Sequence, residues 1–549
     1  MERIGIDEEA PKNFNQMVKG KYEKEFREAM DFEIKSIMDH GTFEEVYCPE
    51  GVTPITCRWV YDFKRNELGK VIKFKARLVV QGYKQQFGVD YEKTFSSTAQ
   101  IRSFRIMVAL SVLLDLPVHQ YDIKNAFLNS KMDKEVFVHW PPGYENLIPK
   151  KKGTVAKLLK ALYGLHQCSR LWQQTLYKAL GEIGFVVCKT DSGVLHLKDS
   201  KGNFAGMITC WVDDLGLMVK DDKIRVKLEE CLTKHFTISA KGLLKLYVGI
   251  VVEKGKDGSM TLHQEPYHEK AIKKFLEDSA KPYSVPGNPV KSLSKMDCPI
   301  TEEEKRKIDY PYMNATGTQL YSAICTRPDI FYQTINLAKF NSNPGQVHVE
   351  ASKNLFRYIK GTKGEGIKFK KPKDFDGKVE VKAFVDSDWA GCIDTRRSTI
   401  GFIVQIAGGP VSWKSKTMKT IAQSSCEAEF MGLTEVCKEL MWLCNFLEEL
   451  GIPFHTPKIY CDSQSAIHWS QDPIEHARNK HMEVKYYYVR DCVTDNKVRI
   501  FKILTTYQLA DMMTKPLGKQ PMDRLKPAAM GHSEPIMIAN KSEIPQGEL

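Results

Sequence analysis

The amino-acid sequence predicts mixed α and β structure, divided into about three or four domains. Its 549 residues far exceed the usual domain size of roughly 150 residues. Residues 20–46 show helical periodicity, with apolar side chains at every third or fourth position. Short strand-like runs separated by turns follow from Arg58 to Val80, and a second strand-and-helix region begins near Val379. With 42% hydrophobic residues, the chain can form several buried cores.

The net charge and the cysteine pattern indicate what kind of partner and cellular compartment the protein has. Lys and Arg number 80 against 68 Asp and Glu, a net charge of +12. This excess suits a polyanionic partner such as nucleic acid, but it also fits an ordinary basic protein. The 14 cysteines are scattered singly and show no zinc-type spacing, which is typical of a reducing, intracellular compartment. The sequence has no apolar run of about 18 residues, so we expect no membrane-spanning segment.

Changes in composition mark the boundaries between regions. Residues 103–116 are apolar enough for a buried helix that ends before Pro117. Residues 281–311 are rich in Pro, Ser and Lys, which indicates a boundary segment, and residues 312–360 have a helical pattern. The chain after Pro516 lacks apolar periodicity, which predicts a loose tail.

Three aspartates stand at the ends of apolar runs in the first half of the chain. Asp122 ends a short β-type run, and Asp213 and Asp214 lie between the apolar segments ITCWV and LGLMV. This pattern predicts a hairpin with both acids at its tip. Paired acids are common at turns, but flanks this apolar do not suit a solvated loop. Three converging carboxylates suit nucleotidyl transfer, in which two Mg²⁺ ions about 4 Å apart stabilise the attacking and leaving oxygens.

The segments around these acids carry a family resemblance. In order they are WVYDFKRN, KARLVVQGYKQQFGVDYEKTFS, QYDIKNAFLN, VFVHWPPGYE, KALYGLHQCSRLW and WVDD. Their order and spacing resemble the copia-type reverse transcriptase family over about residues 24–290. The resemblance implies that Asp122, Asp213 and Asp214 bind the metal ions.

The same resemblance implies roles for residues that contact the incoming nucleotide. Arg77 corresponds to a fingers arginine that binds the triphosphate, and Lys64 is an alternative for this task. Phe127, five residues after Asp122, corresponds to a steric gate that excludes a ribose 2′-hydroxyl. A plain core phenylalanine remains the other interpretation of Phe127.

A further segment is implied to pack on nucleotide and template: Tyr163, Gly164 and Gln167. Trp211 stands where the family usually has Tyr, two residues before Asp213. Because residues i and i+2 of a strand point to the same side, we expect its ring near the metal site and the primer end.

Four acids in the last third of the chain form a second ordered set. Asp386 ends an alternating apolar strand, and Glu429 lies on a predicted long helix beside its apolar stripe. Asp462 ends another strand, and Asp511 falls on a short helix. Any one of them is compatible with an ordinary surface acid, but the ordered set of four is not expected by chance.

These acids also lie in segments that resemble a known family. The segments are DSDWAG, RRSTIGFIV, VSWKSK, SSCEAEF, CDSQSAI, RNKHMEVKYYYVRD and LADMMTKPL. They are similar to the ribonuclease H domain of copia-type elements over about residues 380–518. The resemblance implies that the four acids hold two Mg²⁺ ions, with Asp388 and Glu427 as neighbours that are not ligands. His481 is either an aid to proton transfer or product release, or a structural histidine.

Together the resemblances imply the architecture. They imply an α+β right-hand polymerase with fingers, palm and thumb, then a connection segment and an α/β ribonuclease H-like domain. The expected boundaries are 20–290 for the reverse transcriptase, 291–378 for the connection, 379–518 for the nuclease and 519–549 for a disordered tail.

The implied function is RNA- and DNA-directed DNA synthesis with cleavage of RNA–DNA hybrids. Each active site would take two Mg²⁺ ions, with Mn²⁺ as a substitute. The partners would be an RNA template, a DNA primer or hybrid, deoxynucleoside triphosphates and other products of the polyprotein. The implied location is cytoplasmic, in virus-like particles, with nuclear access left open. The alternative is a decayed remnant of such an element that only binds nucleic acid.

Overall fold

A computed structural model describes residues 9–65, 71–145, 147–471 and 483–539. Among them, no helix has both the length and the apolar composition that crossing a membrane would require. All 14 cysteines are free.

The first half of the chain contains six helices and fourteen strands in the described residues. The helices are α1 (Phe14–Val18), α2 (Glu23–Asp39), α3 (Ile101–Leu114), α4 (Cys168–Glu182), α5 (Asp222–His235) and α6 (Glu265–Phe275). The first strands are β1 (Phe43–Tyr47), β2 (Cys57–Arg65), β3 (Val71–Val80), β4 (Val118–Ile123), β5 (Phe137–Val138), β6 (Thr154–Leu158) and β7 (Val186–Val187). The others are β8 (Val194–Lys198), β9 (Phe204–Trp211), β10 (Asp214–Val219), β11 (Ile238–Leu243), β12 (Leu246–Tyr247), β13 (Ile250–Lys254) and β14 (Met260–His263).

The second half begins with helices and continues into an α/β domain. The elements up to residue 369 are α7 (Glu302–Arg306), α8 (Tyr312–Cys325), α9 (Phe331–Ala338), α10 (Gln346–Gly361) and β15 (Ile367–Phe369). The remaining strands are β16 (Lys382–Asp388), β17 (Thr399–Ile406), β18 (Gly409–Thr417), β19 (Lys458–Cys461) and β20 (Arg499–Lys502). The remaining helices are α11 (Ser425–Leu450), α12 (Gln464–Gln471), α13 (Glu483–Thr494) and α14 (Lys519–Ala529).

A six-stranded antiparallel sheet lies at the centre of the first half, in the order β11-β4-β10-β9-β8-β7. Strands β9 and β10 pair through the register Trp211↔Asp214, so the predicted hairpin around the paired acids is present. Strands β2 and β3 form a separate two-stranded ribbon that packs on α2. The mixture of sheets and helices confirms the expected α+β class of this part.

The nuclease-like part is a five-stranded sheet in the order β18-β17-β16-β19-β20. The first three strands are antiparallel, whereas β16, β19 and β20 are parallel. The predicted long helix is α11, and its apolar stripe packs on the sheet. The stripe residues Phe430, Leu433, Cys437, Leu440, Cys444 and Leu447 are all buried. This arrangement confirms the expected α/β class.

Two local expectations were wrong. The periodic segment 20–46 is helical only in α2, and Phe43–Tyr47 forms a strand because it pairs with β6. The expected disordered tail at 519–549 instead begins with α14, whose Met522 and Leu525 are buried. Its buried residues Met522, Leu525 and Ala528 recur at helical spacing, an amphipathic pattern that the sequence analysis overlooked. Residues 540–549 lie outside the described part.

The connection does not separate the two halves as the expected boundaries suggest. Strand β15 lies within 291–378, yet it completes a sheet with β12, β13 and β14. One buried apolar cluster includes Met107 of α3, Leu355 of α10 and Leu440 of α11. The two halves therefore share a continuous core across the connection.

A buried ion pair holds the connection helices together. The side chains of Arg327 and Asp329 are fully buried, and Nη2 of Arg327 lies 2.7 Å from Oδ2 of Asp329. Arg327 also donates to the carbonyl oxygen of Thr362 at the end of α10. The Tyr358 hydroxyl donates to Asp329 at 2.8 Å. Burial opposes ionisation of Asp329, but the guanidinium outweighs it and holds the pKa of Asp329 at about 2.

We predict that Asp329→Asn lowers the free energy of unfolding by about 3–5 kcal/mol at neutral pH, because it leaves Arg327 buried without its counter-charge. The folded pKa of Asp329 lies below its unfolded value of about 3.9. The contribution is therefore present above about pH 4 and is lost as the pH falls towards 2. Urea unfolding at several pH values measures both effects. Glu302→Gln, which breaks the exposed pair with Lys305, should cost at most about 1 kcal/mol. Equal losses in the two variants would contradict this account.

Candidate active sites

The first acid cluster is assembled by the register of the central sheet. Asp122 of β4 and Asp214 of β10 are direct cross-strand partners, so their side chains lie on the same face. Asp213 lies in the turn between β9 and β10, and its carbonyl oxygen accepts a hydrogen bond from the Ile123 backbone N–H at 2.9 Å. Val212 has a φ of 56°, which allows the tight reversal. The structure thus brings together all three predicted acids.

A lysine that the sequence analysis missed neutralises this cluster. Nζ of Lys241 lies 2.9 Å from Oδ1 of Asp122 and 3.1 Å from Oδ1 of Asp214. The register between β11 and β4 shifts between Ala240 and Gly242, which leaves Lys241 as the extra residue of a β-bulge. A bulge redirects a side chain out of the normal alternation. Lys241 lies more than a hundred positions from Asp122, so no local pattern could have linked them.

The electrostatics of the cluster favour a cation. Asp213 is accessible at the turn, but the surrounding protein, and then Asp122 and Asp214, raise the pKa of its carboxyl. The pKa of Lys241 is raised although burial opposes its charge, because Asp122 and Asp214 hold the ammonium. Gln120 donates a further hydrogen bond to Asp214 at 3.0 Å. Carboxylate oxygens crowded in this way are the donors that Mg²⁺ prefers, so the residues present fit the implied metal ions.

The β2–β3 ribbon presents a basic face. The register pairs Val60 with Arg77 and Lys64 with Lys73, and side chains two positions apart share a face. The face therefore carries five cationic side chains and one acidic side chain. These are Arg58, Lys64, Lys73, Lys75, Arg77 and Asp62. Mutual repulsion is evident at Lys75, where burial, then Arg77 and Lys64, lower the pKa. Lys73 and Lys75 were not among the predicted residues, although the alternation of KFKAR could have indicated them.

Two aromatic rings lie between the basic face and the acids. The guanidinium of Arg77 lies 5.8 Å from the ring centre of Tyr163, and the rings of Tyr163 and Phe127 are 4.9 Å apart in a T-shaped contact. Burial raises the pKa of Tyr163 to about 12, with Arg77 opposing and Asp213 assisting the shift. Phe127 is buried. The predicted Arg77, Phe127 and Tyr163 are therefore gathered beside Asp213.

Gly164 fixes the position of Tyr163. Its φ is +93°, and a Cβ there would lie 2.1 Å from the carbonyl oxygen of Val80. The backbone N–H of Val80 donates to the carbonyl oxygen of Tyr163 at 2.8 Å. Gly164 therefore allows the loop to approach β3 closely, and its role is to position Tyr163 rather than to bind nucleotide through a side chain.

Gln167 does not lie where it could contact nucleotide or template, so this expectation was wrong. Its side chain is fully buried. It accepts a hydrogen bond from Gln85 at 3.1 Å and donates to the carbonyl oxygen of Asp90 at 2.8 Å. Because both ends of the amide are engaged inside the protein, Gln167 fixes the loop at 85–90 and does not face the site.

Trp211 lies beside the acids, but for a different reason than expected. We expected Trp211 and Asp213 to lie two positions apart in one strand and so to point to the same side. The strand ends at Trp211, however, and the next two residues form the turn. Trp211 is instead the cross-strand partner of Asp214 and shares its face. A contact between its ring and the primer end stays a prediction.

The second cluster gathers the four predicted acids of the nuclease-like domain. Asp386 lies in β16, Glu429 in the first turns of α11, Asp462 directly after β19 and Asp511 in a short 3₁₀ helix at residues 509–513. Oxygens of Glu429 and Asp462 lie within 4.8 Å of each other. Because β16 and β19 are parallel neighbours, their C-terminal ends place Asp386 and Asp462 at the same edge of the sheet.

A lysine also neutralises this cluster. Nζ of Lys515 lies 3.0 Å from Asp511 and 3.7 Å from Asp386. The hydroxyl of Thr514 donates to Asp386, and the hydroxyl of Thr505 donates to Asp462 at 2.7 Å. Lys515 belongs to the motif quoted for Asp511, so its position four residues later could have indicated it.

The acids of the second cluster fit a divalent cation. Burial, then the charges of Asp386 and Asp462, raise the pKa of Glu429 to about 9. Burial and Asp386 raise the pKa of Asp511 to about 7. Oε2 of Glu429 is buried without a hydrogen-bond partner among the described groups. A bound cation would satisfy this oxygen and relieve the repulsion.

Of the two neighbouring acids, Glu427 is engaged at the start of a helix, whereas Asp388 interacts electrostatically with Asp386 of the cluster. Glu427 accepts a hydrogen bond from the Gln423 backbone N–H at 2.6 Å, so it caps the start of α11. Asp388 lies two residues past Asp386, and burial, then the charge of Asp386, raise its pKa. His481 lies outside the described residues.

We predict that Gly164→Ala lowers the free energy of unfolding by about 2–4 kcal/mol, since it combines an unfavourable φ with a clash against Val80. Gly153→Ala is the matched control, because Gly153 has a φ of +78° but nothing lies within 4 Å of its added Cβ. It should cost only about 1 kcal/mol from backbone strain. Urea unfolding of both variants measures the difference. Equal costs would show that the close approach of Gly164 to β3 does not constrain the loop.

Comparisons with known proteins agree with this geometry. Residues 40–289 match the family described as reverse transcriptase (RNA-dependent DNA polymerase). The Retrovirus-related Pol polyprotein from transposon TNT 1-94 of Nicotiana tabacum is 35% identical over 530 residues, which cover 96% of this chain and 39% of that protein. The corresponding polyprotein from transposon RE1 of Arabidopsis thaliana is 33% identical over 90% of this chain and 33% of its own length.

A solved structure of the foamy viral protease-reverse transcriptase in complex with dsDNA aligns with a TM-score of 0.46 at 13% identity. The alignment covers 88% of this chain and 83% of that chain. The chain spans less than half of the length of the two plant polyproteins. The matches confirm the resemblance predicted from the motifs: residues 40–289 belong to the reverse transcriptase family, and the chain is similar to retrotransposon Pol polyproteins over most of its own length.

Proposed function

We propose that this chain copies RNA, and then DNA, into DNA and cleaves the RNA strand of the resulting hybrid, with two divalent metal ions at each site. The observation that carries the proposal is the presence of two separate carboxylate clusters on rigid elements. Three acids lie at the β4–β10 edge of the central sheet, and four lie at the β16–β19 edge of the second sheet. A lysine neutralises each cluster.

At the first site, Asp122, Asp213 and Asp214 would hold the ions. Bound Mg²⁺ there would stabilise charge on the attacking and leaving oxygens of nucleotidyl transfer. Arg77 would bind the triphosphate, with Lys64 as the alternative, because the guanidinium of Arg77 lies 5.8 Å from the ring centre of Tyr163 and Asp213 also acts on that tyrosine. Lys73 and Lys75 on the same face would add positive charge. Arg77 can donate two parallel hydrogen bonds to phosphate oxygens.

Lys241 has a position that suits two successive tasks at this site. Without metal it neutralises Asp122 and Asp214 and so limits repulsion between them. When cations replace it at the carboxylates, its ammonium remains beside the reacting phosphates as a further positive charge. Its partly exposed side chain, at the flexible end of a four-carbon stem, allows this movement.

Phe127 supports discrimination between sugars. Its ring is buried against Tyr163, four residues past the end of β4, and thus cannot withdraw easily. A rigid ring at this place would collide with a ribose 2′-hydroxyl while it tolerates a deoxyribose. A plain core phenylalanine would pack in the same way, so the two roles are separated by the effect of truncating this ring on sugar discrimination.

At the second site, Asp386, Glu429, Asp462 and Asp511 would hold the ions. Bound cations there would activate a water against an RNA phosphodiester. Thr514 and Thr505 fix the orientation of two of the carboxylates through their hydroxyl groups. Lys515 would stay nearby to neutralise the scissile phosphate.

The proposed partners follow from these chemistries. They are an RNA template, a DNA primer, the RNA–DNA hybrid, deoxynucleoside triphosphates and other products of the polyprotein. The net charge of +12 supports binding through the nucleic-acid backbone. We place the protein in the cytoplasm, inside virus-like particles and with access to the nucleus, in keeping with its free cysteines.

We predict that the two activities separate. Asp214→Asn should abolish primer extension on an RNA template and leave cleavage of a labelled hybrid unchanged, because it removes a metal-binding charge from one site only. Glu429→Gln should abolish cleavage and leave extension unchanged. Both assays use the full chain with Mg²⁺.

Two controls each remove a carboxylate charge outside the acid clusters. Asp222→Asn affects an exposed acid paired with Arg225, and Glu427→Gln affects the helix cap two residues before Glu429. Both should retain both activities. If one active-site substitution abolished both activities in a folded protein, the assignment of two sites would be wrong. A wild-type chain that binds the hybrid but has neither activity would support the decayed remnant instead.

We also predict that Phe127→Ala weakens discrimination against ribonucleotides by about 1–3 kcal/mol, because room opens beside the sugar. Single-turnover incorporation of matched ribo- and deoxyribonucleotides gives the ratio within one preparation. Leu128→Ala, which truncates the adjacent buried side chain, should lower stability without changing that ratio. Unchanged discrimination in Phe127→Ala would return this residue to a plain core role.

A further inference from the structure

Three potential metal ligands meet where the two halves of the chain touch. Cys188 follows β7, His196 lies in β8, and Glu449 lies in the last turn of α11. One ligand atom from each residue lies within 4.8 Å of those from the other two. Sγ of Cys188 is 3.3 Å from Nδ1 of His196. None of these three residues belongs to either acid cluster of the proposed reactions, and the set contains a thiol and an imidazole where those clusters have carboxylates.

The donor set suits one class of metal ion. A thiolate, an imidazole and a carboxylate are the three side chains that bind Zn²⁺, and soft sulfur disfavours Mg²⁺ and Ca²⁺. Cys188 is buried, whereas His196 and Glu449 are partly exposed. The site therefore has an apolar floor and an open side, through which an ion can enter and a water can complete four-coordination.

The protein already orients the carboxylate. Oε1 of Glu449 accepts a hydrogen bond from the Lys189 backbone N–H at 2.5 Å. Oε2 accepts from the Thr190 backbone N–H at 3.1 Å and from its hydroxyl at 2.7 Å. Each carboxylate oxygen can accept two bonds, so Oε1 retains one free position. Outer contacts of this kind hold a metal ligand in place and favour binding.

Local charges permit a cation. Glu449 and Asp191 both act on Cys188 with negative charge, while Lys198 acts on Cys188 and His196 with positive charge. The ammonium of Lys198 is held by the carbonyl oxygen of Glu448 at 3.0 Å, and within the described residues it makes no ion pair with Glu449. A second Cys/His/Glu group, formed by Glu182, Cys231 and His235, is less suitable. There the ammonium of Lys234 lies 3.3 Å from Glu182 and would oppose an ion.

We propose that Cys188, His196 and Glu449 form a zinc site that joins the central polymerase sheet to helix α11 of the nuclease domain. Zinc binding replaces the thiol proton of Cys188, which is released to solvent. The ion adds a direct link where Trp442 already donates to the Thr190 carbonyl oxygen at 3.1 Å. Its role is to link the two halves, because Cys188 and His196 belong to the first half of the chain and Glu449 to the second.

The test is a titration of the full, metal-stripped chain with Co²⁺ as a spectroscopic probe and with Zn²⁺ in competition, in excess Mg²⁺ to occupy the acid clusters. We expect one equivalent of Co²⁺ to produce a thiolate-to-cobalt charge-transfer band, which Zn²⁺ abolishes. Zn²⁺ should also raise the midpoint of thermal unfolding. Cys188→Ser should remove the band, and His196→Gln and Glu449→Gln should weaken Zn²⁺ binding by at least about 100-fold, more than loss of an outer contact costs.

Cys48→Ser is the control, because Cys48 lies outside all three metal-ligand groups of the described residues, and it should retain the band. Cys231→Ser should retain it as well. A band that persists in Cys188→Ser, or is absent from the wild-type chain, would overturn the proposal. If Cys188→Ser failed to fold, retention of wild-type Zn²⁺ affinity by both His196→Gln and Glu449→Gln would overturn it instead.

Discussion

Carboxylates held within a few ångströms of one another repel. Most of the residues around both acid clusters either hold the carboxylates together or reduce this repulsion. In the central sheet, the register places Asp122 opposite Asp214, and a bulge turns Lys241 towards both. In the nuclease domain, burial and neighbouring acids raise the pKa of Glu429 to about 9. Lys515 pairs with Asp386 and Asp511, and Lys502 acts on Asp462, so the repulsion is only partly relieved. Such clusters lower the stability of the folded protein, and bound divalent cations would offset this electrostatic cost.

Rigid elements are needed because repelling groups would otherwise move apart. Cross-strand pairing holds Asp122 directly opposite Asp214. The parallel pairing of β16 with β19 likewise holds Asp386 beside Asp462. Residues that surround the acids act mainly through the backbone. Gly164 allows a close approach to β3, and Gln167 uses both ends of its amide inside the protein. Strands and buried loops therefore hold the acids in position, whereas the neighbouring lysines, on long flexible side chains, are the groups that can move.

Local patterns predicted the elements that depend on neighbouring residues. The apolar flanks of Asp213 and Asp214 predicted the β9–β10 hairpin, and the 3.6-residue stripe predicted α11. Prediction failed where residues distant in sequence determine the local structure or the position of a side chain. Residues 43–47 form a strand because β6 pairs with them. Lys241 was missed because its role depends on a bulge that only the pairing of β11 with β4 creates.

Helix α11 links the chemistry of the two halves. Glu429 lies near its start, while farther along Glu439 forms an ion pair with Arg102 of α3 at 2.6 Å. The guanidinium of Arg102 also stacks 3.4 Å from the ring centre of Trp442. A straight helix transmits position along its length, so contacts with the polymerase sheet at one end constrain Glu429 at the other. The two acid clusters are thus held at a fixed distance from each other, and they share no acid.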